Sequence, residues 1–167
     1  DIENPDFKDL HSVGTVGQIV KLLEMPDGST TAIIQGRKRM ALGELVSEEP
    51  YFMAKIRILP EIKPDIKSKD FDAIVGSLKD LSLKIIKINP NISPEASFAI
   101  KNIENNTYLI NFICSNTDIK VQDKQKLLEI DSLRDRGFML LEFLVQEIQV
   151  LELKNELQSK VKIDLDQ

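Results

Sequence analysis

The chain predicts an α+β fold in two lobes, strands first and helices after, and three observations carry that prediction. Five of its seven glycines lie at or before Gly43 and all seven prolines at or before Pro94, whereas Glu95 to Gln167 contain only Gly137. These residues punctuate strands and turns, so their disappearance marks a change to helices. Phe52, Ala54, Ile56 and Ile58 alternate with Met53, Lys55, Arg57 and Leu59, the period of a strand with one largely apolar face. Leu141, Leu144, Ile148 and Leu151 recur at three and four residues, the stripe of a helix. The division falls near Ile62, giving a strand lobe over residues 1–62 and a helical lobe over residues 63–167.

Each element has a local reason. Asp1 to Asp6 reads as a polar loop. Val13 to Met25 and Thr30 to Lys38 pair across Pro26-Asp27-Gly28. Proline presets φ at the second turn position, aspartate tolerates the third, and glycine accepts the left-handed conformation that closes the loop. Arg39 to Val46 continues as a further strand or bulge, with Gly43 as a bend. Pro60 and Pro64 stop the sheet and form a stiff connector. One long helix is expected from Asp65 to Asn89, its stripe made of Phe71, Ile74, Val75, Leu78, Leu81, Leu83 and Ile85, with Pro90 ending it. Ser93-Pro94-Glu95 opens the next, serine as cap and proline in the first turn. Shorter helices cover Glu95 to Glu104, Thr107 to Cys114 and Val121 to Ile130. The last starts at Asp131 or Ser132. Its leucines continue through Leu153, Leu157, Val161 and Leu165, so beyond Leu153 the helix is expected to outrun its packing partners and project as a stalk. Glu156 and Lys160, four apart, suit an exposed helix.

Composition bounds the function. A chain of 167 residues buries one respectable core or two small ones. Apolar and charged fractions of 42% and 29% are those of a globular protein. No run approaches the roughly 20 apolar residues of a membrane span. The lone Cys114 forms no internal disulfide, which suits a reducing, cytoplasmic setting. A net charge of −5 argues against a dedicated nucleic-acid binder. No G-x-x-x-x-G-K-[ST] loop is present to cradle a triphosphate, and metal-ligand spacing is absent. His11 reads as a loop residue, Cys114 as a small hydrophobe in an apolar helix, and Glu48-Glu49 as a solvated turn. On these grounds the chain itself is expected to catalyse nothing and to hold no cofactor.

One ordered set of motifs names a family. Val13-Gly14-Thr15, Pro26-Asp27-Gly28, Gly36-Arg37-Lys38-Arg39 and Tyr51-Phe52-Met53-Ala54 follow one another in the order of the N-terminal domain of the Lon family of ATP-dependent proteases. Ile92-Ser93-Pro94-Glu95 and Asp123-Lys124-Gln125 sit where that family's helical bundle is expected, and the resemblance runs from about Leu10 to the end. It implies a PUA-like strand lobe, then a helical bundle whose last long helix leads toward an AAA+ ATPase module. In that family the strand block begins earlier, so the resemblance also implies a strand lobe incomplete at its start. It further implies that ATP and magnesium, and the serine and lysine of the peptidase site, belong to later domains. The partners implied are unfolded or damaged protein substrates and other Lon subunits of a homohexamer engaged in protein quality control.

Recognition of unfolded chains requires accessible apolar or soft side chains. The candidates are Met25 at the hairpin, Tyr51, Phe52 and Met53 around the last strand, and Phe138 and Met139 near the start of the last helix. All are residue types that also pack cores. Arg37, Lys38 and Arg39 form a basic run in which the arginines share one strand face and Lys38 takes the other. It reads either as a solvated face whose stems cover apolar surface or as a contact for polyanions. The second option would make the chain a PUA-like nucleic-acid-binding module. A third reading is a stand-alone Lon-N-like protein; a final helix running on without a cap is expected to disfavour it.

Overall fold

The computed structural model describes residues 2–166; Asp1 and Gln167, the ends of the first predicted loop and the last predicted helix, lie outside the described residues. Two units divide after Pro60, one spanning Asp1–Pro60 and the other Glu61–Gln167. The boundary thus falls two residues before Ile62. Both Glu61 and Ile62 are tied into the helical unit by interactions that leave no local trace in sequence.

The strand unit is a three-stranded antiparallel sheet in the order β1-β2-β3, with β1 Val13–Glu24, β2 Thr30–Ser47 and β3 Met53–Ile58. The hairpin between β1 and β2 closes as its residues dictate. Gly28 takes φ of +84°, its N–H donates to the Met25 carbonyl at 2.9 Å, and Ser29 donates through both N–H and hydroxyl to the Asp27 carboxylate. Those two bonds lower the Asp27 pKa, the hydroxyl contributing most. The stretch Arg39 to Val46, expected as a further strand or bulge, is the continuation of one long strand. β2 runs past Arg39 and changes partner, pairing first with β1 and then with β3, with register shifts on both sides. Gly43 falls at the register shift between Leu42 and Leu45, in keeping with the expected bulge or bend. It lies inside β2, where a Cβ would stand 2.8 Å from the Lys55 carbonyl oxygen, so close approach of two backbones demands glycine.

The helical unit contains α1 Lys69–Ile88, α2 Ala96–Asn102, α3 Asn106–Asn116, α4 Val121–Glu129 and α5 Leu133–Asp166. The first of these begins four residues later than its apolar pattern suggests, because Ser68 accepts the Phe71 N–H at 3.2 Å and fixes the start. Asn105 caps α3 in the same way through the Tyr108 N–H. Ser93 does not cap α2: its hydroxyl bonds the Glu95 carboxylate, and α2 starts without a side-chain cap. Phe71, Ile74, Val75, Leu78 and Ile85 of α1 meet Leu140, Leu144 and Ile148 of α5, with Leu109, Ile110 and Ile113 of α3 closing the core. Fully burying each such side chain is worth about 1.5–3 kcal/mol.

A charged residue organises one end of this core. Arg136 is almost fully buried. It donates to Asn111 Oδ1 at 3.0 Å, to the Ile130 carbonyl and to Glu61, whose two carboxylate oxygens lie 3.1 and 3.2 Å from its guanidinium nitrogens. Alongside, Ile62 forms a parallel bridge to Ser132: its N–H donates to the Asp131 carbonyl and its carbonyl accepts the Leu133 N–H. The chain entering the unit is therefore clamped to the start of α5. Beyond Ile148 the burial of α5 fades. Leu153, Leu157, Val161 and Leu165 are all exposed along a continuous helix, and Glu156 pairs with Lys160 at 3.0 Å.

Candidate functional site

The strand unit positions its accessible apolar side chains in two places. The first is the approach to β3. Tyr51 is 66% exposed and Phe52 41% exposed, and Met53 opens the strand, also exposed. Phe52 meets the ring of Phe7 edge-on, centroids 6.1 Å apart and planes at 76°, a geometry aromatic quadrupoles favour. Phe7 belongs to a short 3-10 turn, Phe7–Asp9, in which the Asp6 N–H donates to the Asp9 carboxylate. A folded turn thus supports the aromatic cluster from beneath.

The second place is the β1–β2 ladder. Ile19 faces Ile34 and Leu22 faces Ala32 across the strands, so these side chains share one face of the sheet. Ile34 is 62% exposed, and Ile19 and Leu22 are comparably open. Met25 stands at the hairpin beside them, its N–H donating to the Ser29 carbonyl. Sequence reading singled out Met25 and passed over Ile19, Leu22 and Ile34. Counting back from the Pro26-Asp27-Gly28 turn would have paired them, but the register shifts between Ile19 and Lys21 hide that count.

In the helical unit Phe138 is exposed, with the Arg134 guanidinium 5.7 Å from its ring centroid. Arg134 is itself held by Asp70 at 2.6 Å and Asp135 at 3.1 Å. Met139 does not join Phe138 at the surface; it packs against the core. Neighbours on a helix point about 100° apart, so adjacency in sequence does not make a shared surface.

The basic run separates in the same manner. Arg37 is exposed and donates through Nε and Nη2 to Gln18 Oε1 at 3.0 and 2.6 Å. Lys38 is exposed as well, and because the register shift between Val16 and Gly17 leaves Arg37 as the extra residue of β2, the run does not alternate between faces as a regular strand would. Arg39 is only 8% exposed and donates to the Pro60 carbonyl at 2.6 Å, fastening the end of the strand unit. The three cations accordingly do not form one polyanion contact.

His11 and the Glu48-Glu49 pair are exposed and lie outside the strands and helices. Cys114 lies in α3 against the core, where burial pushes its thiol up to about 12, so it stays protonated near neutral pH. Among the described residues no group of three or more His, Cys, Asp or Glu is placed to hold a metal ion. Nor is any helix among them long and apolar enough to cross a membrane.

Fold and surface together define an α+β module that presents aromatic and aliphatic side chains to solvent from a small sheet. Its kinship is specific. A family model described as the ATP-dependent protease La (LON) substrate-binding domain matches residues 1–146, and the chain belongs to that family. It is 50% identical over 165 residues to a Lon protease of Flavobacterium johnsoniae and 43% identical over 165 residues to one of Cytophaga hutchinsonii. Each match takes in 99% of this chain and 20% of the relative, so the chain spans about a fifth of the length of these curated proteins. Among solved structures, the N-terminal domain of a Mycobacterium avium complex Lon protease superposes with a TM-score of 0.67 at 18% identity, covering 80% of this chain and 70% of that one. A Lon N-terminal domain protein from Xanthomonas campestris gives 0.55 at 12% identity, covering 79% and 68%. Those two likenesses concern the fold.

Proposed function

We propose that this chain is the substrate-recognition and assembly domain of a cytoplasmic Lon-type ATP-dependent protease. On this reading it holds exposed apolar segments of unfolded or damaged proteins near the entrance of an ATP-driven pore. Peptide cleavage by a serine–lysine pair, and the nucleotide and magnesium that drive unfolding, belong to other parts of the protease; this chain binds. The observation that carries the reading is the cluster of Tyr51, Phe52 and Met53, accessible and braced by Phe7. Aromatic and methionine side chains offer large contact area with few degrees of freedom to lose, which suits capture of varied apolar sequences. A single such site gives about −4 to −8 kcal/mol, millimolar to micromolar. Copies arranged on one ring of subunits raise this by avidity. The net charge of −5 and the burial of Arg39 speak against nucleic acid as the main partner.

The test is retention of a permanently unfolded protein, such as reduced and carboxymethylated α-lactalbumin, on the immobilised chain. Tyr51→Ser with Phe52→Ser is expected to weaken retention about tenfold while circular dichroism shows the chain still folded. Parallel changes on the ladder face, Ile19→Ser with Ile34→Ser, show whether that face shares the load. Unaltered retention by the Tyr51/Phe52 variant would remove the aromatic cluster from the reading.

A further inference from the structure

The helical unit contains a cavity of about 340 Å³ walled by α1, α2, α3 and α5. Ile85, Ile100, Ile113 and Leu144 form its buried apolar floor, while Asn91 and Asn116 stand exposed at its rim. Its volume falls at the small end of ligand cavities, roughly 300–1,000 Å³, and it suits a single bulky side chain. Two polar groups break the apolar lining. Ser82 is only 7% exposed, yet its hydroxyl has no hydrogen-bond partner among the described residues. A buried hydroxyl in that condition is unfavourable, and a ligand group that bonds it recovers that loss. Thr117, also buried on the wall, is already satisfied, its hydroxyl donating to the Ile113 carbonyl at 2.6 Å. The second polar group is Glu147, a half-buried carboxylate on α5. Burial raises its pKa first, and the nearby Asp118 adds to the rise. Two neighbouring carboxyl groups, one of them losing solvent, favour a cation beside them.

We infer that this cavity is a second recognition pocket, which takes one large apolar side chain of an extended client polypeptide and places an adjacent lysine or arginine against Glu147. The apolar floor receives the side chain, Ser82 Oγ meets a peptide group of the client, and the Glu147 carboxylate selects the basic neighbour. This deepens the proposed function and rests on it. It also differs from it in place: the pocket belongs wholly to the helical unit, whereas the aromatic cluster belongs to the strand unit.

The experiment uses the whole chain with ¹³C-labelled isoleucine methyls, titrated with acetyl-Gly-Phe-Lys-Gly-amide. Two control peptides replace Lys by Glu or Phe by Ala. The Phe-Lys peptide is expected to shift the methyls of Ile85, Ile100 and Ile113 and to bind tighter than the Phe-Glu peptide by about two- to fivefold, the worth of a partly solvated ion pair. The Phe-to-Ala peptide should leave those methyls unmoved. Glu147→Gln is expected to erase the preference for lysine while keeping the shifts, and Ala96→Leu, which fills the cavity from α2, to abolish them. Thermal melts establish that both variants fold, and Glu147→Gln alone decides the matter if Ala96→Leu does not. Equal affinity for the Lys and Glu peptides, or shifts confined to other methyls, overturns the pocket. Retention of unfolded α-lactalbumin alongside silent pocket methyls overturns the pocket and leaves the proposed function standing. Shifted methyls with no retention of unfolded protein count against the proposed function instead.

Discussion

Fourteen apolar side chains are buried in the helical unit, and among the described residues the strand unit buries only Arg39. Apolar residues are abundant in both, so composition does not explain the contrast. A helical stripe meets another stripe as soon as two helices lie side by side, and α1 against α5 does this along most of its length. A three-stranded sheet has two faces and no second layer of its own, so its apolar residues stay accessible while the backbone ladder and the hairpin supply its order. The two units therefore respond differently to change: one loses stability, the other loses contacts with partners.

The largest expected effect comes from Arg136→Leu. It removes the donor that Arg136 supplies to Asn111, the Ile130 carbonyl and the Glu61 carboxylate, and breaking a buried ion pair from one side costs about 3–5 kcal/mol. Urea denaturation monitored by circular dichroism measures it; a loss below about 1 kcal/mol would mean the clamp is a surface pair in effect. Gly137→Val comes next. A Cβ there would lie 3.1 Å from Ile74 Cγ2 and 3.3 Å from Ile110 Cδ1, so overpacking should destabilise by about 1–3 kcal/mol. Ile110→Val in the same chain removes the Cδ1 methyl from that contact and should return part of the loss, which a double-mutant cycle reads directly. The smallest effect is expected from Leu157→Lys with Val161→Lys on the exposed end of α5. These positions touch no core, so the midpoint should move by less than about 0.5 kcal/mol. Sedimentation is expected to show weaker self-association, since an apolar stripe is favoured to pair at about 25 cal/mol per Å² covered. Unfolding of the helical unit by this pair would make the stripe core and erase the contrast between the two ends of α5.

Much of this was readable from the residues. The hairpin at Pro26-Asp27-Gly28, the helix beginning after Ser68 within the expected span, and the stripe through Leu144 and Ile148 all follow from local chemistry acting over a few residues, whereas Leu140, not its expected neighbour Leu141, is the fully buried side chain. The family resemblance rested on the same short-range motifs. Less was legible at the candidate site. Arg37 and Arg39 look equivalent on a strand, yet one is solvated and the other is fastened to the Pro60 carbonyl. Phe138 and Met139 look equivalent on a helix, yet only the first is exposed.

The sequence by itself determined the order of strands and helices, the hairpin turn and the long final helix, because each depends on backbone preferences and on apolar period within one element. Only the tertiary structure decided that Arg136 would clamp Glu61 from 75 residues away, that Gly43 would admit the Lys55 carbonyl, and that Ser82 and Glu147 would line one cavity. Those outcomes depend on which elements come together and at what register. Such contacts are set by packing over the whole unit, and no local stretch of sequence carries them.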